Sequence, residues 1–233
     1  QNSYFWQGAV SALRGAVGAA LEDFRQCLHW QHQVETHATD RPLYTLRGIQ
    51  HTLLLTRLGR HDETEQLVQE IKKIQLNLFG KNDPYVSHCN LILASLKLRP
   101  ETSSSAKESY EEAHNWALAR DAKEVLCWSA LIKARLDLTE AGIGSQKPEV
   151  WNDLFQTSQD ALTEGLKIAR DCGYGIYHID LLIAQAHLHL LQGNPQAALA
   201  ELRLALDDGI FANDKTGQPQ LLAANDPECG YAW

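Results

Sequence analysis

The sequence predicts an all-α fold, an α-solenoid of about five antiparallel helix hairpins stacked in series. Three observations carry this expectation. Apolar residues recur at three- and four-residue spacing, whereas alternating β-branched runs are nearly absent. Seven prolines in 233 residues leave room for long helices. A spaced pattern of small and large residues also returns along the chain, and a hairpin that cannot bury both its faces alone must rest on copies of itself.

The first hairpin (1–37) sets the pattern. Gly8 lies in its first helix and Gly15 at its turn, and Ala20, Phe24 and Cys27 follow in its second helix. Small residues let two helices approach closely while the large one fills the groove between neighbouring hairpins. The second hairpin (42–79) pairs helices over 43–58 and 62–78 across Gly59, with Thr52, Thr64, Val68 and Ile71 at the spaced positions. The third (84–120) pairs 85–98 with 106–120 and carries Ala94, Ala106, Tyr110 and Ala113. The fourth (122–172) pairs 123–141 with 150–172, carries Ala134, Ser158, Leu162 and Gly165, and holds an insertion at 142–148. The fifth (176–209) repeats the first in register, with Ala186, Gly193, Ala198, Leu202 and Ala205. Leu182, Ala186 and Leu190 form the buried stripe expected of its first helix. Residues 210–227 read as a loop punctuated by Gly217, Pro219 and Pro227, and 228–233 as the start of a further first helix. The chain as a whole, 1–233, reads as one helical-repeat domain.

The spacing of small residue, glycine, small, large and small in Gly8–Cys27 and in Ala186–Ala205 resembles the tetratricopeptide (TPR) repeat, although the units here are longer. Equivalent positions Ala20, Thr64, Ala106, Ser158 and Ala198 lie 44, 42, 52 and 40 residues apart. The stretches 168–194 and 41–48 are similar to the long-period TPR arrays at the C-terminal end of bacterial signal-transduction NTPases. The resemblance implies a right-handed superhelix that acts as a sensor or protein-docking arm beside an NTPase module and an effector. No NTPase module is present in these residues. The absence of Met and the initial Gln1 lead to the expectation that the chain is a piece of a longer protein.

Composition narrows the function. Twenty-one Lys and Arg stand against 29 Asp and Glu, a formal charge of −8, which argues against nucleic acid as a partner. No run approaches the roughly 18 apolar residues of a membrane span, so no membrane role is expected. Five cysteines, Cys27, Cys89, Cys127, Cys172 and Cys229, are scattered singly. They read as reduced core thiols of a cytoplasmic protein.

Catalytic motifs are missing: there is no phosphate-binding loop, and Gly80-Lys81 reads as a helix stop. His29 and His32 share a helix face but lack a third ligand, and His187 and His189 point about 200° apart on a helix. Cys89 and His88, adjacent on a helix, diverge by about 100°. No enzyme activity, metal or cofactor is expected.

What remains is the inner surface built from the first helix of each hairpin. One residue past each small position stand Ala9, Leu53, Ser95, Arg135 and His187. Gln50, Arg57, His88, Arg135 and His187 are the candidate strip for a protein or peptide partner. The strip lacks the Lys, Asn and Arg cluster by which some TPR domains hold a C-terminal carboxylate. Trp30, Trp116, Trp128 and Trp151 read as packing residues, and Trp6 and Trp233, at the array ends, as sites of contact with the missing parts; self-association through exposed array ends is a further expectation. The leading functional expectation is an interaction module. The alternatives are a structural spacer or oligomerisation arm, and, last, an enzyme with a site assembled on the concave face.

Overall fold

The structure is a computed structural model that describes residues 2–34, 41–142, 148–207, 211–213 and 219–221. The described residues form ten α-helices: α1 Asn2–Leu13, α2 Val17–Val34, α3 Thr45–Arg57, α4 His61–Phe79, α5 Pro84–Leu96, α6 Ser103–Leu118, α7 Lys123–Gly142, α8 Pro148–Cys172, α9 Gly175–Leu191 and α10 Pro195–Asp207. A single 3-10 turn, Pro100–Thr102, precedes α6. Neighbouring helices pack on one another, so the described fold is helical throughout its core. Within the stretch expected to be loop, β1 (Phe211–Asn213) pairs antiparallel with β2 (Pro219–Leu221), Phe211 opposite Leu221. Pro219 sits at the first position of its strand, where a missing N–H costs least. Most of the expected insertion, Cys229 and the expected further helix at 228–233 lie outside the described residues.

The chain divides into two compact units, Gln1–Leu96 and Lys97–Trp233. In the first unit α1 and α2 pack as a pair around Gly8, where an added Cβ would lie 3.2 Å from Asp23 Cβ. Phe5, Ala20, Phe24, Cys27, Leu43 and Leu54 form one buried cluster. His51 of α3 stacks on Phe24 at 5.2 Å between ring centres. The α3–α4 pair closes even more tightly, because Ile71 Cδ1 would lie 2.8 Å from a Cβ on Gly48. Helix α5 packs on both α3 and α4 and is buried over every residue from Val86 to Ala94. Leu91 to Ala94 are uniformly apolar, as an enclosed stretch of helix requires, and the polar Ser87, His88 and Asn90 are buried with them.

In the second unit α7 holds the centre, packed on α6, α8 and α9. Its buried residues include Val125, Leu126, Cys127, Leu131, Ile132, Ala134 and Leu136 on several faces. Asp137 is also buried, and it accepts from Lys133 Nζ at 2.5 and 2.6 Å and from Thr157 Oγ1 of α8 at 2.8 Å. The desolvated carboxylate is thus supplied with donors from two helices. Tyr177 of α9 donates to Glu124 Oε1 of α7 at 3.0 Å, which ties those helices at one end.

Helix α10 begins on a complete start signal. Gly193 takes φ +74°, Asn194 Oδ1 accepts from the Ala197 N–H at 3.2 Å, and Pro195 fills the first helical position. Gly15 and Gly59 adopt the same left-handed conformation at their turns.

The spaced positions Ala20, Phe24, Ala94, Ala106, Tyr110, Ala113, Ala134, Leu162, Ala186 and Ala198 are all buried. Leu202 is not: it is 39% exposed, and Ala205 is half-buried. Cys172 also departs from the core role expected of it, lying exposed in the last turn of α8.

Candidate interaction surface

Each unit presents its own candidate residues. In the first, Gln50 and Arg57 lie seven residues apart on α3, Gln50 half-buried and Arg57 exposed. His88 is interior instead. It is 6% exposed, its Nδ1 lies 2.8 Å from the Pro84 carbonyl, and its ring lies near Tyr85. Because α5 has no exposed face along this stretch, a polar residue there is absorbed into the packing.

In the second unit Arg135 of α7 and His187 of α9 are both exposed, on helices that pack together. The Arg135 guanidinium is crowded as well as exposed. Desolvation lowers its pKa from the usual arginine value, and Asp180 of α9 opposes the shift.

Around His187 the helix displays Ile183, Leu190 and Leu191, which are 47%, 53% and 49% exposed. Ile183, His187 and Leu190 fall on one face by their four- and three-residue steps. The sequence had suggested a buried role for Leu190. Eight residues from Leu182 rotate a helix by about 80°, which carries Leu190 off the stripe that Leu182 and Ala186 bury. The run of apolar residues in α9, Leu181 to Ala184 and Leu188 to Leu191 broken only by His189, was the available signal for an apolar outer face.

Elsewhere the exposed surface is more ordinary. His29 Nε2 lies 3.0 Å from Gln33 Nε2, and His32 Nε2 lies 2.7 Å from the Arg41 carbonyl, so their rings have separate partners. Among the described residues no group of three or more His, Cys, Asp or Glu could hold a metal ion. The buried thiols are held protonated, Cys89 and Cys127 pushed up to about 12 by burial and Cys27 raised for the same reason. Trp128 is buried, but Trp6 and Trp30 are exposed, and Arg120 lies 5.0 Å over the half-buried Trp116 ring. The Trp30 side chain therefore does not serve the packing role expected of it.

A polar groove of about 470 Å³ opens between α8 and the end of α9, where Asn152, Gln156, Gln159 and Gln192 surround Phe155. Among the described residues no helix is long and apolar enough to cross a membrane. No protein-family model matches the sequence, and no curated protein is significantly similar to it.

Proposed function

We propose that the chain is a TPR-like helical-repeat interaction module, the docking or sensing part of a larger signalling protein, and that it binds a protein or peptide rather than catalysing a reaction. One observation supports this reading: the exposed row Ile183, His187 and Leu190 on α9, a helix that packs on α7, where Arg135 is exposed too. An apolar strip with a cation on the neighbouring helix suits a segment that offers apolar side chains and an acidic group. The repeated small-residue register supports a right-handed solenoid as the frame. Small-angle scattering that reports a compact globule rather than a curved rod would remove that frame.

Binding can be tested with a displayed random-peptide library panned on the whole chain. Enriched peptides should carry an acidic residue near apolar ones. Arg135→Glu and Ile183→Asp should each weaken capture of a selected peptide by roughly 10-fold or more, since one buried contact of this kind is worth over 1 kcal/mol. Melting temperature should stay unchanged. Enriched peptides that bind both variants as tightly as the parent would overturn the assignment.

The exposed leucines of α10 favour a second role, as an assembly arm, which is independent of the α7–α9 face.

A further inference from the structure

The groove between α8 and the end of α9 lies within the second unit and is built from side-chain amides. Asn152, Gln156 and Gln159 follow one another along α8 at four- and three-residue steps, so they share one face over roughly 10 Å of helix. Gln192, the residue that caps α9, adds a fourth amide, and the half-buried Phe155 ring lies among them. The volume of about 470 Å³ falls in the range of small-molecule sites, yet the lining inverts their usual composition of many apolar groups and few polar ones. Among the described residues that line it none is charged. A phosphate, a carboxylate or an ammonium group would meet no counter-ion in the lining.

Two of the amides are oriented by their own helix. A carboxylate only accepts, so the Gln156 amide turns its nitrogen to Asp160, and Nε2 donates to Oδ1 at 2.8 Å. Thr163 Oγ1 donates to the Gln159 backbone carbonyl at 2.8 Å, so Gln159 also faces that hydroxyl with its nitrogen, Nε2 lying 3.4 Å from Oγ1. This leaves Oε1 of both glutamines, and the amides of Asn152 and Gln192, open to a ligand. An amide presents a carbonyl acceptor and N–H donors side by side, which matches adjacent hydroxyls that each donate and accept. Phe155 supplies the apolar counterpart, a ring face on which the C–H side of a sugar ring can lie. Trp151 packs on Phe155 from one turn back on α8, with 5.4 Å between ring centres, and so steadies that face.

We propose that this groove binds a short neutral saccharide, its hydroxyls on the four amides and one of its rings against Phe155. A peptide fits it less well. Peptides anchor through apolar side chains, and the groove has one apolar residue to receive them.

The side-chain NH₂ signals of Asn and Gln are visible in nitrogen–proton correlation spectra, so the site reports its own occupancy. Cellotriose, laminaritriose and mannotriose, each titrated into the whole chain to about 10 mM, enough to fill a millimolar site, are the probes. At least one should shift the NH₂ pairs of Gln156, Gln159 and Gln192 in a saturable manner. Gln156→Leu should weaken that binding about 10-fold, because a buried hydroxyl is left without its partner. Gln156 is exposed, so the thermal midpoint should not change; Gln192→Leu, also at an exposed position, takes its place should Gln156→Leu fold poorly. The proposal is overturned if none of the three sugars moves these signals, if the shifts persist at full affinity in the variant, or if acetyl-trialanine amide or a glucuronic acid trimer moves them at lower concentration than the neutral sugars do. Capture of a selected peptide by the α7–α9 face should be the same in Gln156→Leu as in the parent, so that reading and this one fail separately.

Discussion

Leu181 of α9 stands over bare backbone at Gly165 of α8. A methyl group there would meet Leu181 Cδ2 at 3.1 Å and the Ala130 Cβ of α7 at 2.8 Å. Three helices thus meet at one absent side chain. Leu181 can rotate away, but the Ala130 Cβ is fixed to its backbone. Gly165→Ala should therefore destabilise the protein by about 1–3 kcal/mol in urea unfolding, even though alanine is the better helix former. Adding Ala130→Gly should recover part of that loss, and a double-mutant cycle without coupling would remove the close approach.

The spaced positions differ in what surrounds them. Ala113→Trp places a large ring in a fully buried site and should cost about 1–3 kcal/mol or more. Ala205→Trp, at the same register in α10, has open space and should leave the unfolding midpoint nearly unchanged at low concentration.

Acid should loosen the first unit. Burial beside Phe24 lowers the His51 pKa from 6.5 to about 4, with Glu63 opposing and Arg60 adding to the shift. The unfolded chain takes up a proton near pH 6.5 while the folded chain refuses it. The contribution is therefore complete above that pH and is lost as pH falls toward 4. Its size is on the order of 2–3 kcal/mol. Burial moves His114 of α6 in the same direction, which gives the second unit an acid sensitivity of its own. His51→Phe should flatten the pH dependence of the urea midpoint between pH 6.5 and 4.

Thiol alkylation of the native chain should separate the described cysteines. Cys172 is exposed and should react readily, whereas Cys27, Cys89 and Cys127 are buried and protonated and should react only after denaturant is added. Peptide mapping by mass spectrometry reads the difference, and rapid native labelling of Cys89 would contradict the enclosure of α5.

The buried Asp137 carboxylate depends on both of its donors. Thr157→Val should cost about 1 kcal/mol, as loss of one hydrogen bond does. Lys133→Met combined with Thr157→Val strands the charge and should cost about 3–5 kcal/mol, more than the two single changes together.

Much of the helical framework is legible in the sequence, because Gly15, Gly59 and Gly193 mark turns and the small residues after them mark contacts, both of which are local signals. What is not legible depends on which face of a helix is covered. His88 and Leu190 show this in opposite directions: one is polar yet enclosed because every residue of α5 from Val86 to Ala94 is buried, and the other is apolar yet bare because the α9 stripe rotates away from it. Cys172 and Trp30 lie near helix ends, where periodicity says least about burial. The strip at Ile183 required the contact between α7 and α9, which no spacing within α9 encodes.

Helix α7, walled in by α6, α8 and α9, has little apolar surface it can hide by itself. Its helical state is therefore conditional on all three neighbours, and losing any one removes its support. Amide protons of α7 should exchange with solvent only when the whole second unit opens, whereas those of α10 should exchange earlier, by fraying. The unit should accordingly open first at α10, and α7 should give way together with its three neighbours.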